Sequence, residues 1–106
     1  MDETVITAAF DLAQQTRTEL AEAWERKIVA ETDVEQAKWV ATNNGSMAGK
    51  NDLERNASFF SDPDHKALLE ELYDRERELA VAVRNNDIAK LGVQRIQALI
   101  SWTKGD

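Results

Sequence analysis

Between Thr4 and Thr42 the chain has neither glycine nor proline, and this uninterrupted stretch limits the fold more than any other feature. Without a breaker the backbone has no local reason to turn. Along it Ile6, Ala9, Ala13, Thr16, Leu20, Ala23, Lys27, Ala30, Val34, Ala37 and Ala41 recur at alternating spacings of three and four, and nine of these eleven are apolar. Such a repeat is the heptad seam that one helix presents to another. Alanine dominates it, so a partner helix can approach closely. Phe10, Trp24 and Ile28 flank the seam and widen the apolar face. At 1.5 Å per residue the helix spans roughly 55–60 Å.

The run Asn43-Asn44-Gly45-Ser46-Met47-Ala48-Gly49 ends the pattern with small, polar and glycine residues and reads as a loop. A short helix is expected next. Asn51 suits its N-cap, with Glu54 three residues later in the capping-box position. A third start follows, with Asp62 as N-cap, Pro63 at the first helical position and Asp64 at the positive end of the helix dipole. From there to Trp102 the one weak point is Gly92. A second seam runs through Leu68, Leu72, Arg75, Leu79, Ala82, Asn86, Ala89, Val93, Ile96 and Ile100, eight of ten apolar.

The expected fold is therefore all-α, in one domain over residues 1–106. Two long antiparallel helices, over about 4–42 and 63–102, form a coiled-coil-like hairpin. The connecting loop covers 43–50 and the short helix about 52–60. A further stripe, Ile88, Leu91, Leu99 and Trp102, makes the end of the chain apolar on two faces. A two-helix hairpin can bury one of them, so a homo-oligomer is expected to cover the other. Thr16, Lys27, Arg75 and Asn86 interrupt the seams. Polar seam residues can fix register or oligomer state, can snorkel to water, or can meet an anion between protomers.

Composition narrows the function classes. The sequence has no cysteine, which removes thiolate chemistry and a disulfide framework. No stretch approaches the roughly 18 apolar residues of a membrane span. The acidic start Met1-Asp2-Glu3 does not read as a signal peptide, so a cytoplasmic protein is expected. The net charge of −7 opposes a nucleic-acid surface. The charge is uneven: residues 1–35 hold nine acids and three bases, whereas residues 79–104 hold four bases and one acid. Folding back would set the acidic start beside the basic end, which accounts for the asymmetry within one molecule.

No catalytic set is legible. The single histidine, His65, stands at a helix start and reads as structural or solvent-exposed. No His-x3-His or Glu-x-x-His pair offers a helical metal site, and no Gly-x-Ser-x-Gly elbow is present. The acids Glu70, Glu71, Asp74, Glu76 and Glu78 alternate with Arg75 and Arg77 as on a solvated helical face. The expectation is a protein that is not an enzyme and uses no metal or cofactor.

The motif with the clearest physical logic is Gly49-Lys50-Asn51-Asp52-Leu53-Glu54-Arg55. Gly49 allows a close backbone approach. Asn51 opens a helix whose N–H groups and dipole favour an anion. Lys50 offers phosphate a point charge and Arg55 a planar fork. Asn44, Ser46 and Met47 precede the motif and are placed to line the same site. Trp39, near the loop, is the candidate platform for a planar ring. The predicted ligand-binding residues are thus Trp39, Asn44, Gly49, Lys50, Asn51 and Arg55. The pattern is not a Walker A loop, because asparagine follows the lysine.

A long helix, a loop carrying Gly49-Lys50-Asn51-x3-Arg55 and a second long helix resemble small helical proteins of phage and prophage genomes. The resemblance covers most of the chain in layout and has those seven residues as its specific motif. It implies a viral setting, often among early genes near recombination functions. Other small helical phage proteins act as sponges that oligomerise around nucleotide immune signals without cleaving them. By that analogy of class, the expected function is sequestration of an anionic nucleotide immune messenger, a cyclic nucleotide or other nucleotide-derived signal, inside a host bacterial cell, an anti-defence role. The alternatives are an acidic inhibitor or DNA mimic acting on a host protein, and an accessory to phage recombination.

Overall fold

The computed structural model describes residues 2–45 and 49–105, and within these the chain forms three helices. They are α1 (Glu3–Asn43), α2 (Asp52–Phe60) and α3 (Pro63–Gly105). The all-helical hairpin expected from the two seams is the observed architecture, with α1 and α3 packed together. Each long helix runs slightly beyond its expected end. Gly92 does not interrupt α3, and a Cβ added there would meet nothing within 4 Å. It lies on an open side of the helix, where glycine costs about 1 kcal/mol relative to alanine. Ser46 and Met47, placed beside the loop motif from sequence, lie outside the described residues. No helix among the described residues is long and apolar enough to cross a membrane.

The helix starts follow the sequence closely. The Asp2 carboxylate accepts from the Thr4 N–H at 2.9 Å and caps α1. Asn51 caps α2 from an extended backbone, its Oδ1 accepting the Glu54 N–H at 2.9 Å. Asp62 Oδ1 accepts the Asp64 N–H at 2.8 Å, with Pro63 at the first helical position as expected. Each bond satisfies a donor that the helix cannot satisfy itself.

The contacts group into two compact units, Met1–Trp24 with Glu78–Asp106, and Glu25–Arg77. In the first, the buried residues are Ala13, Thr16, Ala23, Asn86, Ala89 and Ile96. Ile6, Ala9, Leu20, Leu79, Ala82, Val93 and Ile100 are half-buried, and the other described side chains of this unit are exposed. These thirteen positions are the predicted seam residues of the unit. Thr16 and Asn86 meet inside the seam. The Thr16 hydroxyl lies 3.4 Å from Asn86 Oδ1 and 3.1 Å from the Ala13 carbonyl, both acceptors for its single proton. Shifting one helix along the other would separate this pair and bury each polar group against apolar neighbours, so the contact fixes register.

In the second unit Ala30, Val34 and Ala41 of α1 are buried, with Leu68, Leu72 and Arg75 of α3 half-buried. The short helix docks through Phe59, 2% exposed. Its ring stacks on His65 at a centroid separation of 3.9 Å and meets the edge of Phe60 at 4.8 Å. His65 Nδ1 lies 2.9 Å from the Phe59 carbonyl, which can only accept, so Nδ1 carries the proton. Lys38 of α1 stands 5.4 Å from the centre of the Phe60 ring, a cation–π contact. The structural role expected of His65 is therefore to seat α2. Lys27 and Arg75 turn outward to Glu31 and Glu71, one turn away on their own helices.

The Thr16–Asn86 pair yields an asymmetric prediction. Thr16→Val removes a donor while Asn86 stays buried, and is expected to cost about 1–3 kcal/mol in urea denaturation. Thr16→Val with Asn86→Leu should recover stability and lose the unique register, seen as extra amide resonances. A double variant with a single sharp resonance set would show that the pair does not set register.

Candidate binding site at the start of the short helix

The motif residues are held by the geometry of α2. Gly49 has φ +144°, a region that favours glycine. A Cβ there would lie 2.7 Å from Glu54 Cβ and 2.8 Å from the Arg55 nitrogen. The close approach that the sequence predicts for Gly49 is thus an approach to the first turn of α2 itself. It brings the chain back over the helix and places Lys50 beside Glu54.

Glu54 then completes a reciprocal cap. Its carboxylate accepts the Lys50 N–H at 2.7 Å, while its own N–H goes to Asn51 Oδ1. In the usual capping box the acid returns to the N-cap N–H; here it reaches one residue further back. The consequence for ligand binding is direct. At the positive end of α2, predicted to take an anion, the Asn51 amide oxygen takes one N–H of the first turn and the Glu54 carboxylate lies beside it on the Lys50 N–H. What stays outward is side-chain charge. Residues 49 to 57 are all exposed. Arg55 Nε reaches the Asn51 carbonyl at 3.4 Å, and its guanidinium stands 3.9 Å from an Asp52 carboxylate that is almost fully solvated. So exposed a pair is worth little.

Trp39 and Asn44 come together elsewhere in the same unit. They line a cleft of about 760 Å³ with Asp33, Gln36, Asp62 and His65. Trp39 is 70% exposed, which leaves its ring open for stacking. Of the six predicted ligand residues, the structure thus unites Gly49, Lys50, Asn51 and Arg55 at the start of α2, and Trp39 with Asn44 in the cleft. None of the first four lines the cleft. Its charged walls are the carboxylates of Asp33 and Asp62, and no lysine or arginine lines it among the described residues.

Sequence reading missed those two acids. Asp33 lies on the flank of the first seam, and Asp62 is assigned to capping alone. The signal was present: Asp33 precedes seam residue Val34, and Asp62 precedes the helix that carries Leu68. What a linear reading lacks is the meeting of the end of α1 with the start of α3. No group of three or more His, Cys, Asp or Glu that could hold a metal occurs among the described residues. The acidic run of α3 is solvated and locally paired, as expected, through Arg75–Glu71 and Arg77–Asp74.

Gly49→Ala should therefore fail for structural reasons. The Cβ contacts and the positive φ predict a loss above about 1 kcal/mol, localised to the α2 start. Hydrogen exchange over residues 53–60 checks this, with faster exchange expected there and little change within the seams. Unchanged protection across α2 would contradict the packing role.

Against known proteins, the chain has no match: no family model, no curated protein and no solved structure matches it at a significant level.

Proposed function

We propose that this chain is a non-catalytic binding protein that sequesters an anionic nucleotide signal and works as a self-associated helical hairpin. The observation that carries the reading is where the large side chains lie. The buried apolar residues are mainly alanine, whereas Trp24, Trp39, Ile88, Leu91, Leu99 and Trp102 stand exposed. A fully buried large side chain contributes about 1.5–3 kcal/mol, and a lone hairpin leaves most of that unused. Ile88, Leu91, Leu99 and Trp102 fall on one stretch of α3, and apolar side chains left exposed there support binding or assembly.

The nucleotide class is supported by Lys50, just before the start of α2, and Arg55, in its first turn, both exposed, and by the open ring of Trp39. With Asn51 capping the helix and the Glu54 carboxylate beside its start, the positive charge for phosphate recognition comes from these two side chains. The resemblance to small helical phage proteins supplies the setting of an anti-defence sponge. A second reading, an acidic inhibitor or DNA mimic, is supported by the net charge of −7 and the exposed acids of α3. It predicts salt-sensitive binding of a basic host protein instead of a small molecule.

Isothermal titration against cyclic di- and trinucleotides tests the first reading, with recovery of the ligand to check that it is intact. Lys50→Glu and Arg55→Glu are each expected to weaken binding about 10-fold or more, the scale of one charge-assisted hydrogen bond, with the helical content unchanged. Retained affinity in both variants would remove these residues from the site, and no heat with any nucleotide would favour the protein-binding reading. Sedimentation reports assembly separately. A homo-oligomer is expected at micromolar concentration, and Leu99→Ser with Trp102→Ser should shift it toward monomer.

A further inference from the structure

The unit formed by Met1–Trp24 and Glu78–Asp106 contains a groove of about 540 Å³ between α1 and α3. Its polar and aromatic walls are Phe10, Gln14 and Arg17 on α1, and Lys90, Gln94 and Gln97 on α3. Seam residues Ala13 and Val93 form its floor, and Asp11 is the one carboxylate among the described lining residues. Phe10 and Arg17 are one heptad apart, as are Lys90 and Gln97. Each pair stands on the flank of its own seam, and the antiparallel arrangement turns the two flanks to one side.

The chemistry of this groove is the reverse of that in the Trp39 cleft. Two cations face one carboxylate, in a chain whose net charge is −7. Lys27, Arg55, Arg75 and Arg77 each have a carboxylate of their own helix within ion-pair distance. Arg17 and Lys90 have none among the described residues, and neither is engaged in any other recorded bond. Gln15 commits its amide to Glu19 at 3.1 Å. The amides of Gln14, Gln94 and Gln97 have no such partner among the described residues. Phe10 is 45% exposed, so its ring face is accessible. The volume lies within the range of small-ligand sites.

We infer that this groove is a binding site for a phosphate-bearing planar ligand of the nucleotide class. Phe10 offers the stacking face, and stacking tolerates any base. Arg17 and Lys90 take the phosphate oxygens from opposite walls, Arg17 through its planar fork and Lys90 as a point charge. The three glutamines each supply a donor and an acceptor for base edges. The small floor residues, Ala13 and Val93, let a flat ring approach the helices. The inference rests on the reading of the protein as a nucleotide-binding one, but assigns a site remote in sequence from the Gly49–Arg55 motif.

The test is a nitrogen-15 NMR titration of the full chain with cyclic di-AMP, and with pyrophosphate as a phosphate-only probe. Saturable shifts of the Gln14, Gln94 and Gln97 side-chain amides are expected with the dinucleotide. Arg17→Glu and Lys90→Glu should each weaken that response 10-fold or more, and the milder Arg17→Gln several-fold, while Arg84→Glu, an exposed charge change outside the groove, leaves it intact. Pyrophosphate should shift the backbone near Arg17 and Lys90 with lower affinity. Shifts confined to residues 39–55 would overturn the groove and leave the nucleotide reading standing. No shift anywhere at millimolar ligand would overturn both. Groove signals that follow protein concentration instead of nucleotide would make this a contact between copies and overturn the inference.

Discussion

The small-residue seam between α1 and α3 is the constraint on which the rest of the structure depends. Alanine at Ala13, Ala23, Ala30 and Ala41 lets the helices lie close together, but an alanine brings little hydrophobic free energy. Specificity of alignment must then come from elsewhere. Asn86 and Thr16 supply it in one unit, buried to 3% and 6% exposure and in contact across the seam. A purely apolar alanine seam would tolerate sliding by a heptad. A buried polar pair tolerates it poorly, because a displaced partner leaves a desolvated group unsatisfied.

A seam of this kind moves the large side chains outward. Trp102 and Leu91 are 73% and 64% exposed although they sit on the most apolar stretch of the chain. The helices are thus committed on one stripe and open on others. The cations divide in the same way. Those on the middle of the chain, Lys27, Arg75 and Arg77, are held by neighbouring acids on their own helices. Among the described residues Arg17 and Lys90 have no such neighbour in reach, and they share a groove.

The short helix shows how a local motif can look like a ligand site and serve the fold. Gly49, Asn51 and Glu54 are the residue types an anion-binding helix start would use. In this chain they are consumed by one another: glycine makes room for Glu54, Glu54 holds the Lys50 N–H, and Asn51 holds the Glu54 N–H. The docking of α2 then depends on Phe59 and on its ring and carbonyl contacts with His65. Lys50 and Arg55 remain as side chains displayed by a well-capped helix.

Local periodicity determined much of this protein. The two seams, the three helix starts and the identity of Asn51, Asp62 and Pro63 as start residues are legible because heptad spacing and capping act within a few residues of sequence. His65 as a structural residue and the pairing of the acidic run are legible for the same reason. Tertiary structure alone decided which flanks face each other. The sequence places Phe10 on the flank of the first seam but does not bring it together with Arg17, Lys90 and Gln97, and it presents Asp33 and Asp62 as unrelated acids. Their association follows from the register and antiparallel sense of two helices, which no local window contains.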